Sequence, residues 1–141
     1  MPDFVREGEI RRPNFTACHC PKKPRSHEDL PVFKQAWDVL VELHKTGEDV
    51  PRSFRYNEMP VVKLRAMEVV QCIRRAQSAR VDRAVYIEKG IESLEVVRLY
   101  VRLMYDLRMI SLKRFTLLAR LIENTVRQMT GWLKSSGKEE R

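Results

Sequence analysis

The chain has 141 residues, with 27 lysines and arginines against 19 aspartates and glutamates, and so a formal net charge of +8. This length favours one domain with a real core, and 43% apolar with 33% charged residues exclude a disordered chain. No apolar run of about 18 residues, no signal-peptide pattern and an odd number of cysteines predict a cytoplasmic protein without a membrane span. The basic balance favours polyanions or an acidic protein as partners.

The first 28 residues are predicted to form an irregular N-terminal arm, because Pro13, Pro21 and Pro24 interrupt them and no apolar periodicity is sustained. Cys18, Cys20 and His27 are metal-ligand residue types. Zinc sites usually space their cysteines by two to four residues and need a second ligand pair, which the Cys-x-Cys of this arm lacks. The pattern favours ordinary thiols over a zinc site, and we predict neither a metal ion nor another cofactor.

A first helix is predicted over 30–46, with Asp29 as its N-cap and with Gly47 and Pro51 ending it. His44 lies at the edge of its apolar side, which is typical of a core or boundary histidine. The residues that share this side are Val32, Phe33, Ala36, Trp37, Val39, Leu40 and Leu43. The two tryptophans, Trp37 and Trp132, are more often core anchors than platforms for nucleic-acid bases.

A second helix is predicted over 58–79, after a connection that ends at Asn57, its expected N-cap; Pro60 is tolerated in the first turn. Its core face consists of Val62, Ala66, Val69, Val70, Ile73 and Ala76.

The third predicted helix, over 82–109, carries two apolar lines about 120° or more apart. The first line contains Leu94, Val97, Val101 and Met104, and the second contains Leu99, Leu103 and Leu107. A helix in an isolated bundle needs one apolar stripe, so the second line indicates burial against another copy of the chain.

The fourth helix is predicted from Ser111, its N-cap, to about Ser135, with the short "MIS" before it implying an antiparallel pair. Its core stripe is Phe115, Leu118, Ala119, Ile122, Val126, Met129 and Leu133. Trp132 lies about 100° from that stripe and is a further candidate for a subunit interface. The pattern predicts an all-α fold, an antiparallel up-down four-helix bundle over 29–136 with a polar tail over 137–141.

The cations are clustered, and we predict that they form a basic surface for nucleic acid or protein. Four of them recur every seven residues on the fourth helix and so form one line along it: Lys113, Arg120, Arg127 and Lys134. The other members are Arg74, Arg75, Arg80, Arg83, Arg98, Arg102 and Arg114. Residues 98–120 contain only Asp106 as an acid, which favours polyanion binding. A solvated face and an acidic protein partner remain the alternatives.

No catalytic constellation is recognisable, since the chain contains no Glu-x-x-His, no serine nucleophile elbow and no Walker loop. A nuclease would also need a histidine beside an arginine at recognisable spacing. We therefore predict a protein that is not an enzyme.

The stretch "DLRMISLKRFTLLARLIENTVRQMTGWLKS" resembles the C-terminal half of the accessory variability determinant (Avd) proteins of diversity-generating retroelements. "LPVFKQAWDVLVELH" and "VPRSFRYN" also fit the first helix and connection of that family, so the resemblance covers about residues 30–135. The chain departs from the family at Val126 and Thr130, where the family has glycines, and at Asn124, where it has an acid. "IRRAQ" also differs from the family's Ile-Glu-Ala-Asn.

The resemblance implies a ring-shaped homopentamer of four-helix bundles, encoded in bacteria, archaea or phages. Such proteins associate with the element's reverse transcriptase and template RNA, and they support adenine-directed mutagenic cDNA synthesis and retrohoming. The chain would then be a non-catalytic subunit that contacts reverse transcriptase and RNA, with cDNA as a further candidate partner. The bundle proteins of ribosomal-RNA intervening sequences share the architecture. A general RNA-binding or protein-interaction scaffold of that type is the alternative.

Overall fold

A computed structural model describes residues 30–139 of the chain, with side chains described for residues 30–137. The predicted arm with its candidates Cys18, Cys20 and His27 lies outside these residues, and so does Asp29, the predicted N-cap of the first helix. The described part is all helical and contains no strand. Its elements are α1 (Pro31–Asp49), α2 (Arg52–Asn57), α3 (Met59–Ser78), α4 (Arg83–Asp106) and α5 (Leu112–Glu139).

The five helices pack together around a core of apolar side chains. Contacts join α1 with α3, α3 with α4, α4 with α5 and α5 with α1, while α2 packs on α3. Every long helix therefore has two long neighbours and contributes one face to a shared interior. None of the helices within 30–139 is both long and apolar enough to cross a membrane.

The direction of neighbouring helices follows from the residues that meet. Ser93 of α4 donates a hydrogen bond to Glu68 of α3 (2.9 Å), and Arg83, at the start of α4, donates to the carbonyl of Ala76 (3.1 Å), near the end of α3. Positions rise along one helix as they fall along the other, so α3 and α4 are antiparallel.

The same holds for α4 and α5. Arg98 contacts Glu123 at 2.9 Å, and the rings of Tyr105 and Phe115 stack with centroids 4.4 Å apart. The antiparallel pair predicted from the short connection is thus present.

The buried faces agree with the predicted ones most fully on α3, where all six predicted core residues are buried. The inner line of α4, from Leu94 to Met104, is no more than 1% exposed. On α1, however, Trp37 is 46% exposed and His44 is exposed, so both were wrongly placed at the core or its boundary.

The prediction that Gly47 ends the first helix is wrong, because α1 continues to Asp49. Gly47 is buried, and a Cβ there would lie 3.3 Å from Lys63 Cε and 3.4 Å from Met59 Cε. This glycine therefore serves the close approach of α1 and α3. The helix stops one residue before Pro51, at the extended Val50.

The connection predicted after the first helix contains α2, which the sequence pattern missed. Phe54 is buried in the core, and Arg55 donates to the carbonyls of Glu48 and Val50 at the end of α1. Asn57 belongs to α2 and does not cap α3, which follows Glu58 and makes no side-chain cap hydrogen bond.

Helix α4 ends at Asp106, before the predicted residue 109, because the chain reverses at Arg108 with φ 58°. Met109 N–H donates to the carbonyl of Met104 (2.8 Å) and Arg108 N–H to that of Tyr105 (2.9 Å). These two bonds form a Schellman motif, with an arginine in the left-handed position that glycine usually occupies.

Helix α5 begins as predicted, because Ser111 Oγ accepts a hydrogen bond from the Arg114 N–H (3.2 Å). It runs to Glu139, beyond the predicted end near Ser135, so the first residues of the predicted polar tail are helical. The last turns keep a buried position at Ser136, which extends the inner face of the helix.

Candidate nucleic-acid interface

The four cations that recur every seven residues on α5 are all exposed. Lys113, Arg120 and Lys134 have no carboxylate within ion-pair distance among the described residues. Arg127 Nη2 lies 3.9 Å from Glu123 Oε1, and its side chain is 74% exposed. The buried residues of α5, such as Leu118, project about 180° from this line, so it follows the outermost ridge of the helix.

A second group of cations lies at the C-terminal end of α3. Arg74 and Arg75 line a shallow groove of about 310 Å³ together with Gln71 and Ser78. Both arginines are exposed, as is Arg80 in the following turn, and none of the three forms an ion pair within the described part of the chain. These guanidinium groups are therefore available to a phosphate, which accepts their paired N–H donors.

Two predicted members of the basic surface are engaged inside the fold. Arg83 is half-buried and donates to the carbonyls of Ala76 (3.1 Å) and Ala79 (3.4 Å). It thereby caps the end of α3, whose last carbonyls lack helical partners. Arg114 forms an ion pair with Asp49 (3.2 Å) and donates to Thr46 Oγ1 (3.3 Å), which ties α5 to α1.

Arg98 and Arg102 are exposed in part but are neutralised by neighbouring acids. Arg98 lies 3.5 Å from Glu95 and 2.9 Å from Glu123, and Arg102 lies 3.0 Å from Asp106. The expectation that residues 98–120 have little charge compensation is therefore wrong, because two of these carboxylates lie outside that window. Both arginines line a groove of about 350 Å³ between α4 and α5.

The second apolar line of α4 faces away from the core. Leu99, Leu103 and Leu107 are 69%, 42% and 54% exposed, so this surface is unpartnered in the single chain. Contiguous exposed apolar surface of this kind usually marks an interaction site. Trp132, the other interface candidate, is half-buried and packs against the chain's own core.

The Glu68 carboxyl and the Cys72 thiol have shifted pKa values, and both groups lie on α3 where it contacts α4. The hydrogen bond from Ser93 lowers the pKa of Glu68, with help from Arg65 and Lys89. Burial raises the pKa of the Cys72 thiol, which keeps it protonated and unreactive. Within the described residues, no three histidine, cysteine or acidic side chains converge to hold a metal ion.

The exposure of Trp37 was not predicted from the sequence; its ring stacks on Phe33 with centroids 6.2 Å apart and planes 10° apart. A helical projection contains the signal, because Trp37 lies about 115° from the centre of the buried positions of α1. The partners of Arg114 and Arg98 were also missed, since they come from other helices and leave no local pattern.

Comparison with known proteins adds no assignment: no protein-family model matches the chain, and neither does any curated protein.

Proposed function

We propose that the chain is a non-catalytic accessory subunit of a diversity-generating retroelement. In this function it binds the reverse transcriptase and the template RNA of the element and supports mutagenic, adenine-directed cDNA synthesis. The polymerase chemistry belongs to the partner. The chain supplies surfaces, which agrees with the resemblance of residues 30–135 to the Avd family.

The observation that carries the RNA part of the proposal is the cationic line on α5. Three of its four members have no carboxylate within ion-pair distance among the described residues, and all four are exposed. A surface built for stability alone would interleave charges of both signs to form ion pairs. Unneutralised cations instead gain free energy when they bind phosphates and release the counterions condensed on RNA.

The assembly part of the proposal is an up-down four-helix bundle of α1, α3, α4 and α5 that forms a ring-shaped homopentamer. The exposed leucines of α4 support association, because burial of a leucine against a second copy contributes about 1.5–3 kcal/mol. In a ring, the cationic line is repeated around the axis. A long RNA could then contact several weak lines at once and gain avidity.

The test compares two double charge reversals that change the net charge by the same amount. Arg120→Glu/Arg127→Glu removes the centre of the line, and Lys45→Glu/Arg52→Glu is the matched control on α1 and α2, where both side chains are exposed. Affinity for template RNA is measured across a salt series. We expect the first variant alone to bind markedly more weakly, with a log–log salt slope shallower by about 0.7–0.9 for each phosphate that is no longer neutralised.

Equal affinity and equal slope in the wild type and Arg120→Glu/Arg127→Glu would contradict an RNA role for the line.

A protein-only scaffold is the second candidate, and the apolar surface of α4 favours it. It predicts that reverse transcriptase stays bound after nuclease treatment and that the purified chain has no affinity for RNA.

A further inference from the structure

Trp37 presents an aromatic face to solvent at the end of the bundle where α1 begins. Trp37 is 46% exposed, and its ring lies nearly parallel to that of Phe33, one turn earlier, with centroids 6.2 Å apart. A tryptophan that only anchors a core is buried on more of its surface, as Trp132 is in this chain. The ring of Trp37 therefore offers a flat apolar surface that is partly open to solvent.

The contacts of Gly47 determine which helix Trp37 faces. Gly47 approaches Lys63 of α3, whereas the preceding Thr46 approaches Arg114 of α5. Trp37 lies ten residues before Gly47, about 80° from it around the helix and about 180° from Thr46, so it stands at the outer flank of the α3 side of α1.

The end of α1, at Gly47, meets the start of α3, so these two packed helices run antiparallel. Their register places Trp37 beside Arg74, which shares a groove with Arg75. Since Gly47 lies opposite Met59 and Lys63, Trp37 lies at the level of residues 69–73 of α3. Arg74 follows within one turn. It is eleven residues after Lys63, about 20° from it around the helix, and so lies on the same α1-facing side.

The electrostatic surroundings of Trp37 favour an anionic ligand. Residues 31–37 of α1 and 69–78 of α3 contain no aspartate or glutamate, and Asp38, which directly follows Trp37, lies about 100° from it around the helix. Arg74 and Arg75 form no ion pair within the described residues and line the 310 Å³ groove on the outer side of α3. An aromatic face beside unneutralised arginines is the combination that single-stranded nucleic acids require, because bases stack while phosphates pair with cations.

We infer that Trp37, Arg74 and Arg75 form a binding subsite for single-stranded RNA. One unpaired base stacks on the Trp37 indole, and the adjoining phosphates accept hydrogen bonds from the two guanidinium groups. A duplex cannot use this subsite, because its bases are stacked within the helix and only its phosphates are accessible. The inference rests on the proposed RNA-binding function and adds the strand type that the protein prefers and the residues that select it.

A protein partner is the competing occupant, because Val41, Leu64 and Met67 continue the apolar surface along α1 and α3 at 37–69% exposure. The cationic rim at the Trp37 end favours RNA, since apolar contacts between subunits gain nothing from unneutralised arginines. Binding measurements on Trp37 variants separate the two occupants.

Binding of a fluorescein-labelled, 20-nucleotide single-stranded RNA without self-complementarity is measured by anisotropy, in parallel with the blunt duplex of the same sequence. Trp37→Leu keeps an apolar side chain but removes the ring, and Trp37→Phe is the matched aromatic control. We expect Trp37→Leu to weaken single-strand binding about tenfold, within the roughly 5- to 150-fold range for removal of a base stack, and Trp37→Phe by less than about threefold. Duplex binding should be unchanged in both variants.

The salt series adds a readout that separates stacking from charge. Trp37→Leu should leave the slope for the single strand unchanged, whereas Arg74→Gln/Arg75→Gln should lower it by about 0.7 for each phosphate that is no longer bound. Far-ultraviolet circular dichroism establishes that each variant is folded. Arg74→Gln/Arg75→Gln changes two exposed side chains and tests the subsite even if Trp37→Leu unfolds.

Wild-type affinity in folded Trp37→Leu, or an equal loss for single strand and duplex, would overturn the subsite. A fall in native mass on Trp37→Leu would instead identify the surface as a subunit interface. If the wild type binds neither the single strand nor the duplex, the proposed function fails together with the subsite. If Arg120→Glu/Arg127→Glu weakens binding while Trp37→Leu does not, only the subsite fails.

Discussion

Helices α4 and α5 are neighbours that bury similar side chains and present different ones to solvent. Inside, both contribute fully buried apolar residues, such as Met104 on α4 and Met129 on α5. Outside, α4 carries the exposed leucines of its second apolar line, while α5 carries the line of lysines and arginines that begins at Lys113. The folding of a single chain explains the inner faces, but it does not explain the outer ones.

The outer faces therefore indicate which kinds of partner each helix favours. Exposed leucines contribute little to the stability of one chain and promote association, whereas unneutralised cations oppose self-association through repulsion and attract polyanions. In the proposed function, the two helices would therefore have different tasks, with contact between copies on α4 and contact with nucleic acid on α5. Substitutions on the two helices test that separation.

The largest expected effect is on assembly. Leu99→Ser/Leu103→Ser should reduce the native mass from that of an oligomer to the 16.7 kDa of one chain, because the apolar surface that would be buried between copies is removed. The measurement is native mass spectrometry or light scattering. Leu117→Ser on α5 is the control, since Leu117 and Leu103 are both 42% exposed.

Retention of the native mass in Leu99→Ser/Leu103→Ser would contradict an interface on α4, as would a wild-type protein that is already a single chain. If Leu117→Ser also lowers the native mass, the outer face of α5 takes part in assembly too, which would contradict the proposed difference between the two outer faces.

The next effect concerns the inner and outer faces of α5 itself. Leu118 is fully buried, whereas the adjacent Leu117 is 42% exposed. Leu118→Ala should lower the free energy of unfolding by about 2–5 kcal/mol, because it removes buried methyl groups and leaves a cavity. Leu117→Ala should lower it by less than about 1 kcal/mol, as measured by urea unfolding at equilibrium. Equal losses would show that the solvent-facing side of α5 is buried in the assembled protein.

A third prediction compares two helical glycines, one inside and one outside. At Gly90 of α4 a Cβ would lie 2.6 Å from Met129 Cε and 3.1 Å from Cys72 Cβ, whereas at Gly131 of α5 it would meet nothing within 4 Å. Gly90→Ala should therefore destabilise the protein by about 1–3 kcal/mol through overpacking. Gly131→Ala should stabilise it by about 0.4–1 kcal/mol, because alanine has less freedom in the unfolded chain.

Chemical unfolding of both variants measures the sign of each change in the free energy of unfolding directly. If Gly90→Ala is neutral, the methionine side chain has moved aside, and the close approach of α3, α4 and α5 at this level is looser than described.

The long helices and their cores were predictable because burial on one side of a helix imposes a period that a single sequence displays. All six core positions of α3 follow it, and so does the inner line of α4. Helix α2 was not predictable in the same way, since six residues are too few for a period and Phe54 alone provides its burial. Gly47 was misread because a glycine serves equally to end a helix or to let another helix approach.

The candidate interface was predictable only as a set of cations. Spacing along one helix identifies a line such as that of α5, but it cannot show which cations are neutralised by acids on other helices. Asp49 and Glu123 are distant in sequence from Arg114 and Arg98, which they engage. The exposure of Trp37 was missed for a different reason, because the helical projection of α1 alone already places this residue away from the buried positions.

The smallest expected effect tests the polar link that joins the inner edge of α4 to α3. The hydrogen bond from Ser93 holds the pKa of Glu68 below its usual value of 4.5, so the unfolded chain binds a proton at a higher pH than the folded chain does. The stabilisation is therefore complete above pH 4.5 and is lost as the pH falls through the lowered pKa. Its size should be on the order of 0.2–1 kcal/mol, because Glu68 is partly exposed and its ion pairs lie at the surface.

Ser93→Ala removes the first cause of the shift and should bring the pKa of Glu68 closer to 4.5, which a carbon-13 NMR titration of the carboxyl group measures. Stability as a function of pH should then fall less between about pH 5 and 3 than in the wild type. The Arg102–Asp106 pair offers a contrast on the outer side of α4, where both side chains are more than half exposed. Asp106→Asn should change the free energy of unfolding by less than about 1 kcal/mol, since water screens that pair. If Asp106→Asn has the larger effect, the polar contact that matters for α4 lies on its outer side and not at its contact with α3.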